Sequence, residues 1–548
     1  MYSNFIVFFS AYLLILLSIL GYGFFFTALN NDNQRKINIG LTGLCGIFFL
    51  IIYAYFSNLF IPHSKVHNTI ILTLGLILFF FYYIKNLENK NFKNELIILI
   101  IIFILLFISI LIKKNHDDFP YYHFAYTYNL TQDSADFGIG KFNHGFRTPS
   151  SIFYINSLFF LPLADYYLFN FTQLYILGFA NIILLKRIFI NRLFNEKLKK
   201  EINIINYISL IALIFVNIFF YRISEHGTDR SAQILIIILF ILLIDFFQKK
   251  SIDKSDINYF YILFGLIISL KAFYFLYVIF LLPLFLFVLN KRNLINTIKF
   301  LFVNKYFFYF IIITLFVILS YFMNTGCLLY PLSFTCFETL DWSISKNQVY
   351  KMSNWYELWS KSGANPNFRV QNPEIYIKGF NWVENWFKFY FFNKVSDFIF
   401  GILLMILVIY IFFIKFKNKL IMKKLDRYTK ISYILLIIIF FEWFYNHPAL
   451  RYGGYCVVAL LIFIPFSSYL NKLKIDFQQF NKIALILVVI STIVFEYRNF
   501  DRVKNEMEIY GYRPFLDVFY EINDSYFDLQ KIIENNTNSK GVFGKSIF

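Results

Sequence analysis

The sequence predicts an all-α protein that crosses a membrane many times, and two observations support this fold class. Hydrophobic residues make up 59% of the 548-residue chain, well above the share that is usual in soluble domains. Runs of about 18 or more apolar residues, long enough to cross the hydrocarbon layer as helices, recur along nearly the whole chain. These runs do not alternate polar and apolar residues, so they do not fit the strands of a membrane β-barrel.

Taken in order, the apolar runs predict about fourteen spans. The first run is longer than the apolar core of a signal peptide and has no basic leader, so we expect it to be a retained span. The predicted spans lie near residues 5–27, 37–57, 68–84, 96–112, 165–185, 202–221, 231–247, 257–270, 273–290, 303–322, 397–414, 431–446, 453–470 and 481–495.

Short basic loops predict the orientation in the membrane. Lys and Arg concentrate in loops that alternation of the spans places on one side, and such loops are typical of the cytoplasmic side. These loops are residues 85–93, 186–200, 248–254 and 415–430. The net charge of +18 therefore indicates orientation, and we expect no nucleic-acid partner. The N-terminus and the C-terminal tail from residue 497 are then predicted to face outward.

The placement of one short apolar segment, residues 150–164, decides which of the later loops face outward. If it crossed the membrane, the basic loop 186–200 would face outward. We therefore expect it to lie in, or re-enter, the outer membrane interface as an interfacial helix within the first large outer loop, 113–164.

The stretch NHDDFPYYHFAYTYNL, residues 115–130, follows directly on the fourth predicted span. Two adjacent acids, Asp117 and Asp118, do not both ionise freely if they are partly buried, and one of them is then suited to act as a base. The alternative interpretation is that this stretch is the solvated start of a loop, in which one aspartate caps a helix.

The order of features in this outer loop resembles the first extracytoplasmic loop of the GT-C-fold glycosyltransferases. In the protein mannosyltransferase and aminoarabinose transferase types, an acid pair is followed by Tyr-Tyr and later by a Lys-Pro-Pro-like segment that enters a membrane-surface helix. Here the acid pair precedes Tyr121 and Tyr122, and Arg147-Thr148-Pro149 precedes the apolar segment. The matching residues in three later loops are Glu225, Asp229 and Arg230, then Lys271, then Arg451 and Tyr452.

The sequence departs from the family pattern at three points. The acidic loop follows the fourth predicted span rather than the first, a Thr-Pro replaces the Pro-Pro, and the second acid is Asp118 rather than Glu. We therefore expect residues 1–95 to be additional helices that pack outside a GT-C-like module.

The resemblance implies a GT-C-like bundle that moves a sugar from a polyprenyl-phosphate donor to an extracytoplasmic glycan, lipid or protein acceptor. It implies a bacterial inner membrane and a site on the periplasmic side. Asp117 or Asp118 is expected to be the catalytic base. The expected substrate-binding residues are Tyr121, Tyr122, His123, Arg147, Glu225, Asp229, Arg230, Lys271, Arg451 and Tyr452.

The predicted organisation has five parts. These are the additional helices 1–95, the GT-C-like module 96–322 with outer loops 113–164 and 222–230, a large outer loop 323–396, helices 397–496, and an outer tail 497–548. Within the tail, residues 521–536 are expected to form an amphipathic helix. A disulfide between Cys327 and Cys336 is compatible with their outward position.

Three alternatives stay open. We expect no required cofactor, but a divalent metal stays possible, because His116, His123, His226, Glu225, Asp229 and the acid pair are of types that bind such metals. A lipid-linked polysaccharide polymerase or ligase also has many spans and one large outer loop. A transporter or flippase is the third, although such proteins tend to show mid-membrane charges and internal repeats.

Overall fold

The computed structural model describes residues 3–30, 38–113, 118–189, 202–249, 252, 254–364, 370–414, 424–520, 524–527, 531 and 535. Within these ranges the regular structure is helical and no β-strand is present. The α-helices are α1 (Ser3–Leu29), α2 (Ile39–Asn58), α3 (Lys65–Lys85), α4 (Lys90–Leu106), α5 (Phe124–Gln132), α6 (Ser151–Ser157), α7 (Phe171–Ile188), α8 (Ile204–Phe219), α9 (Ile223–Phe247), α10 (Lys254–Leu270), α11 (Leu281–Leu289), α12 (Leu294–Phe302), α13 (Lys305–Thr325), α14 (Lys346–Lys361), α15 (Pro373–Tyr376), α16 (Val383–Trp386), α17 (Ser396–Phe413), α18 (Arg427–Asn446), α19 (Gly454–Leu470) and α20 (Phe477–Tyr510).

The helices confirm a polytopic helical membrane protein. Among the described residues, 11 helical segments are long and apolar enough to cross a membrane. Three shorter apolar helices, Ile204–Phe219, Ile257–Leu270 and Gly454–Leu470, coincide with the other predicted spans. At 1.5 Å per residue these helices are shorter than the hydrocarbon layer of about 30 Å. The number of spans therefore stays a prediction.

The centre of the bundle is formed by α7, α8 and α9, which are hydrophobic on all sides. Nearly every residue of α7 and α9 is buried, as expected for helices without a polar face. Around this centre, glycines allow close helix approach: a methyl group at Gly21 of α1 would lie 1.9 Å from the carbonyl oxygen of Gly75 in α3.

The helix α2 does not pack outside the bundle as we predicted for the first three spans. It contacts α6, α7, α10 and α13, and most of its residues are buried. Its small residues explain this position, since a methyl group at Gly40 would lie 2.7 Å from the carbonyl oxygen of Phe179 in α7. The boundary at residue 95 itself stays a prediction.

The segment 150–164 does not form a full span, but it is not an exposed interfacial helix either. It folds into the short helix α6, whose residues are all buried against α2, α5, α7 and α10. Asn68 fixes it from α3 by donating to the carbonyl oxygens of Ser157 and Phe160 at 2.8 and 3.0 Å. The apolar side chains of α6 are therefore covered by protein, and its depth in the membrane stays a prediction.

The large outer loop and the tail differ in part from their predicted outlines. The disulfide Cys327–Cys336 is present, and α14 lies within the loop. A helical segment begins at Val383 and continues through α17 to Phe413, so the span starts earlier than predicted. Likewise α20 continues to Tyr510, beyond the predicted start of the tail. Of the predicted tail helix 521–536, the structure describes a single turn at Asp524–Phe527 and two isolated residues.

The two ends of the bundle can be told apart by following α9 and α10. Asp229 lies in the first turns of α9, and that helix ends at Phe247, beside the basic segment 248–254. The next helix, α10, returns and ends at Leu270, directly before Lys271. Because a helix rises 1.5 Å per residue, Asp229 and Phe247 lie about 27 Å apart along the axis. Asp229 and Lys271 therefore share the end opposite this basic loop.

Candidate active site

Four charged side chains from four separate segments meet at one end of the bundle, and we call them the charged cluster. Arg451 Nη2 lies 3.0 Å from Asp118 Oδ2, and Arg451 Nε lies 3.3 Å from Asp229 Oδ2. Lys271 Nζ lies 3.3 Å from Asp229 Oδ1. The side chains of Asp118 and Arg451 are 25% and 30% exposed, so the cluster is partly open to solvent.

The local structure explains how each member reaches the cluster. Asp118 directly precedes a π-helical turn, Phe119–His123, that leads into α5. Lys271 has extended backbone between α10 and the 3-10 helix Ala272–Phe280, which confirms the predicted boundary between the spans 257–270 and 273–290. A charged side chain in the middle of a continuous apolar helix would be costly, and the break brings it to the helix end.

Arg451 lies in the short connection between α18 and α19, which three other side chains hold in place. Gln233 of α9 donates to the carbonyl oxygen of Arg451 at 3.2 Å and accepts from the backbone N–H of Cys456 at 3.0 Å. Tyr274 Oη lies 3.4 Å from the same Arg451 carbonyl oxygen and 3.3 Å from that of Asp229. The guanidinium lies 5.5 Å from the ring centre of Trp359, within cation–π distance.

The charges of the cluster balance, with two carboxylates and two cations. Burial alone would lower the pKa of Arg451, but Asp229, Tyr452 and Asp118 outweigh it and hold that pKa well above its ordinary value. Arg451 therefore stays charged, and it forms an ion pair with Asp118. An ionised carboxylate can accept a proton, and two neighbouring cations can bind a phosphate.

His123 lies beside the cluster as a neutral group. Burial lowers the pKa of His123 to about 3, an effect that the neighbouring Asp118 opposes. Its Nε2 atom is buried without a hydrogen-bond partner. A buried polar atom without a partner is costly to the folded state.

Three tyrosines were also predicted to bind the substrate. Burial, followed by the charge of Asp118, raises the pKa of Tyr122 well above its ordinary value. Tyr121 is half exposed, and its hydroxyl lies 3.3 Å from His144 Nδ1. Burial also raises the pKa of Tyr452, although Arg451 and Lys271 lower it. Asp117, the other predicted base, lies outside the described residues.

Three of the predicted substrate-binding residues contact other parts of the protein. Arg147 Nε donates to the carbonyl oxygen of Gly140 at 3.0 Å, and Nη1 donates to Tyr330 Oη at 3.1 Å. These bonds tie the first outer loop together and to the disulfide loop. The role of Arg147 in phosphate binding stays a prediction.

Glu225 pairs away from the cluster although it lies four residues before Asp229. Its carboxylate bonds to Arg222, and Arg502 Nη1 of α20 lies 3.0 Å from its Oε1. Residues four apart share one face of a regular helix, but His226 has non-helical backbone angles of −111° and 20°. The resulting kink separates Glu225 from the face that carries Asp229.

Arg230 lies on a third side of α9. Its guanidinium is 5.7 Å from the ring centre of Phe220, and Nη1 is buried without a hydrogen-bond partner. Adjacent helix residues do not face each other, so Arg230 does not join Asp229 in the cluster.

Sequence reasoning missed Gln233, Tyr274 and Trp359. Gln233 could have been noticed, because it is a buried polar residue within a predicted span and lies one helical turn after Asp229. Tyr274 and Trp359 gave no signal, since aromatic residues make up 22% of the chain.

Metal binding was the open alternative for these residue types. Within the described ranges, no group of three or more His, Cys, Asp and Glu side chains is arranged to hold a metal ion. Two of the residues named for it, His116 and Asp117, lie outside those ranges. Whether the protein requires a cofactor therefore stays a prediction.

The chain was compared with protein families, curated proteins and solved structures. Residues 5–458 match the family described as Domain of unknown function (DUF8201). The match covers most of the chain, including α1 to α3, and the protein belongs to this family. No curated protein and no solved structure matches.

Proposed function

We propose that this member of the DUF8201 family is a glycosyltransferase of a bacterial inner membrane. It takes a sugar from a polyprenyl-phosphate donor and attaches it to an extracytoplasmic lipid, glycan or protein acceptor. The observation that supports this proposal is the charged cluster, in which residues from four segments, predicted from sequence as one site, contact one another.

The position of the cluster suits a donor that is dissolved in the lipid. A sugar outside the cytoplasm cannot arrive as a nucleotide sugar, so it must arrive on a membrane lipid. The cluster lies at the end of the bundle opposite the basic segment 248–254, and this end is the proposed outer end because short basic loops are typical of the cytoplasmic side. A site at the membrane edge can meet both a lipid-linked donor and a polar acceptor.

In the proposed reaction Asp118 accepts the proton of the acceptor hydroxyl or amine. The acceptor atom then attacks the anomeric carbon, and the bond from that carbon to the phosphate oxygen breaks. Arg451 and Lys271 stabilise the charge of the departing polyprenyl phosphate, which is the largest electrostatic change in the reaction. When the phosphate engages Arg451, the ion pair with Asp118 weakens and the carboxylate becomes free to accept a proton.

The proposal is tested by mass spectrometry of surface glycans. Four strains are compared: wild type, a deletion, Asp118→Asn, and the control Asp517→Asn, which alters an exposed carboxylate paired with Arg513. Immunoblots of the membrane fraction check that each variant is present. We expect one sugar to be lost in the deletion and in Asp118→Asn, and the lost mass identifies its class.

If the sugar is lost only in the deletion, Asp118 is not the base, and Asp117→Asn is the next variant. If the deletion changes glycan chain length without removing a sugar, a polymerase or ligase explains the protein better. If no glycan changes in any strain, the transferase proposal is wrong.

A further inference from the structure

A short helix at the far end of the bundle from the charged cluster has an apolar face that the described part of the protein leaves exposed. This helix, α12, joins two segments that are long and apolar enough to cross the membrane, Ala272–Leu289 and Lys305–Thr325. With nine residues it is about 14 Å long, too short to cross the hydrocarbon layer itself. Both neighbouring segments end beside α12, so it lies near one surface of the membrane.

Hydrogen bonds place α12 at the end of the bundle that carries the basic segment 248–254. Just before α12, Lys291 Nζ donates to the carbonyl oxygen of Lys249 at 2.6 Å. Tyr261, near the start of α10, donates from its hydroxyl to the carbonyl oxygen of Leu301 at 2.8 Å. The charged cluster lies at the opposite end, so the two features are separated by the thickness of the bundle.

Two asparagines make α12 a separate helix rather than an extension of a span. The side chain of Asn293 caps its start by accepting from the backbone N–H of Asn296 at 2.9 Å. Asn304 caps α13 in the same way, accepting from the N–H of Tyr306 at 3.0 Å, and donates to Asn258 Oδ1 of α10 at 2.9 Å. The position of α12 between the two spans is therefore fixed at both ends.

One face of α12 packs on the protein, and the adjacent face is apolar and exposed. The buried residues are Thr297, Phe300 and Leu301. The exposed apolar residues share one face, because most of them recur four residues apart. They are Leu294, Ile295, Ile298 and Phe302, which are 54%, 66%, 43% and 37% exposed. At a membrane surface such a face is stabilised when lipid covers it in place of water.

The position of Lys299 fits a helix that lies in the plane of the membrane interface. Lys299 follows Ile295 by four residues and so lies about 40° further round the helix, while Asn296 lies about 100° round from Ile295. Lys299 is therefore on the boundary between the apolar face and the polar side. A lysine at this boundary can lay its apolar stem along lipid and keep its ammonium group among the headgroups.

Exposed cations surround α12 without carboxylates to balance them. Arg292, Lys299 and Lys305 are exposed, and the guanidinium of Arg292 lies 3.9 Å from the ring centre of Phe300, against α12. Residues 257–337 contain no Asp or Glu. Among the residues that the structure describes, none forms an ion pair with these three cations. Basic residues at the end of a span favour anionic lipid headgroups.

We propose that α12 is a membrane-surface helix that binds anionic phospholipids in the leaflet on the side of the basic segment. Its exposed apolar face inserts among the acyl chains, and Arg292, Lys299 and Lys305 bind the phosphate groups. This binding goes beyond the proposed transfer reaction and does not depend on it, because the charged cluster lies at the other end of the bundle.

The test measures which lipids contact α12 in the full-length protein. Ile298→Cys is labelled with bimane in nanodiscs that contain phosphatidylcholine and phosphatidylglycerol in a fixed ratio. Either lipid then carries a doxyl quencher on its acyl chain. The native free cysteines, Cys45 and Cys456, are buried and should not take up the label. We expect both lipids to quench the bimane, and the phosphatidylglycerol to quench it more strongly.

The cations should account for this preference. Lys299→Gln, introduced beside the label, should lower the preference for phosphatidylglycerol about 5-fold, the contribution typical of one basic residue at an anionic surface. The Lys299 side chain is exposed and makes no hydrogen bond within the described part of the protein, so thermal stability should equal that of wild type. The matched control Lys351→Gln, which alters an exposed lysine of α14, should leave the preference unchanged.

A second label position separates contact with lipid from selection of a headgroup. Ile438 of α18 is 52% exposed in the middle of a candidate span. Bimane on Ile438→Cys should be quenched equally by the two lipids. The proposal is overturned if neither lipid quenches the label on Ile298→Cys, because α12 would then face water or another protein. Equal quenching by both lipids at that position, or a preference that Lys299→Gln leaves unchanged, would also overturn it.

Discussion

The charge balance of the cluster predicts that one damaging substitution can repair another. Arg451→Met removes the cation that bonds to Asp118 and Asp229, and leaves Lys271 as the remaining cation of the charged cluster. Asp118→Asn then removes the excess negative charge. We therefore expect the double variant to be more stable than Arg451→Met, although it carries one more substitution.

The magnitude follows from the contact between Arg451 and Asp118. The pair forms a charge-assisted hydrogen bond of 3.0 Å between side chains that are 30% and 25% exposed. Such bonds are worth about 1.5–3 kcal/mol. The coupling between the two substitutions should therefore change the unfolding equilibrium about 10- to 150-fold.

The assay is a double-mutant cycle. The free energy of unfolding is measured by titrating the purified protein in mixed micelles with dodecyl sulfate and following tryptophan fluorescence. The matched control is a cycle on Arg513 and Asp517, an exposed pair four residues apart, for which we expect no measurable coupling. Additive effects of Arg451→Met and Asp118→Asn, or a double variant less stable than both, would refute the proposed charge balance.

Three further predictions concern neighbouring features. The pKa of His123 is about 3 when folded and about 6.5 when unfolded, so the unfolded chain gains a proton first as pH falls. His123 should therefore account for about 2 kcal/mol of the unfolding free energy lost between pH 7.5 and 5, and His123→Gln should reduce the loss by this amount in titrations at both values. His63 and His447 should account for further loss, because burial lowers their pKa values to about 3 and about 4. With Cys327 and Cys336 paired, the denatured protein should bind two maleimide labels before reduction and four after it; four before reduction would argue against the disulfide. Gln233→Leu should lower product formation about tenfold at unchanged protein level, because it releases the Arg451 backbone, and unaltered product would exclude this positioning role.

The parts of the fold that depend on local composition could be predicted from the sequence. Long apolar runs marked the helices, and the break at Lys271 followed from the cost of a charge within such a run. The burial of α6 could not be predicted, because a short apolar segment has the same sequence pattern whether it is covered by lipid or by protein. Its position depends on contacts with distant helices such as α2.

The four members of the charged cluster could be predicted as residues, but their contacts could not. The contact between Asp118 and Arg451 joins positions 333 residues apart, and periodicity carries no information about such pairs. The same limit explains Glu225, whose partner Arg502 lies 277 residues away on α20. The kink at His226 that separates Glu225 from Asp229 is marked in the sequence by Gly227, which is a weaker signal than proline.

The most direct test of the proposed reaction is mass spectrometry of the lipids that co-purify with the protein. Wild type, Asp118→Asn and Arg451→Met are extracted under identical conditions. The lipid of interest is a polyprenyl phosphate that carries a sugar. Asp118→Asn should retain more of this donor than wild type, because it binds the phosphate but cannot accept the proton. Arg451→Met should retain less than wild type, because the phosphate loses its main cation. Equal amounts of polyprenyl-phosphate sugar in all three preparations would contradict a donor site at the charged cluster.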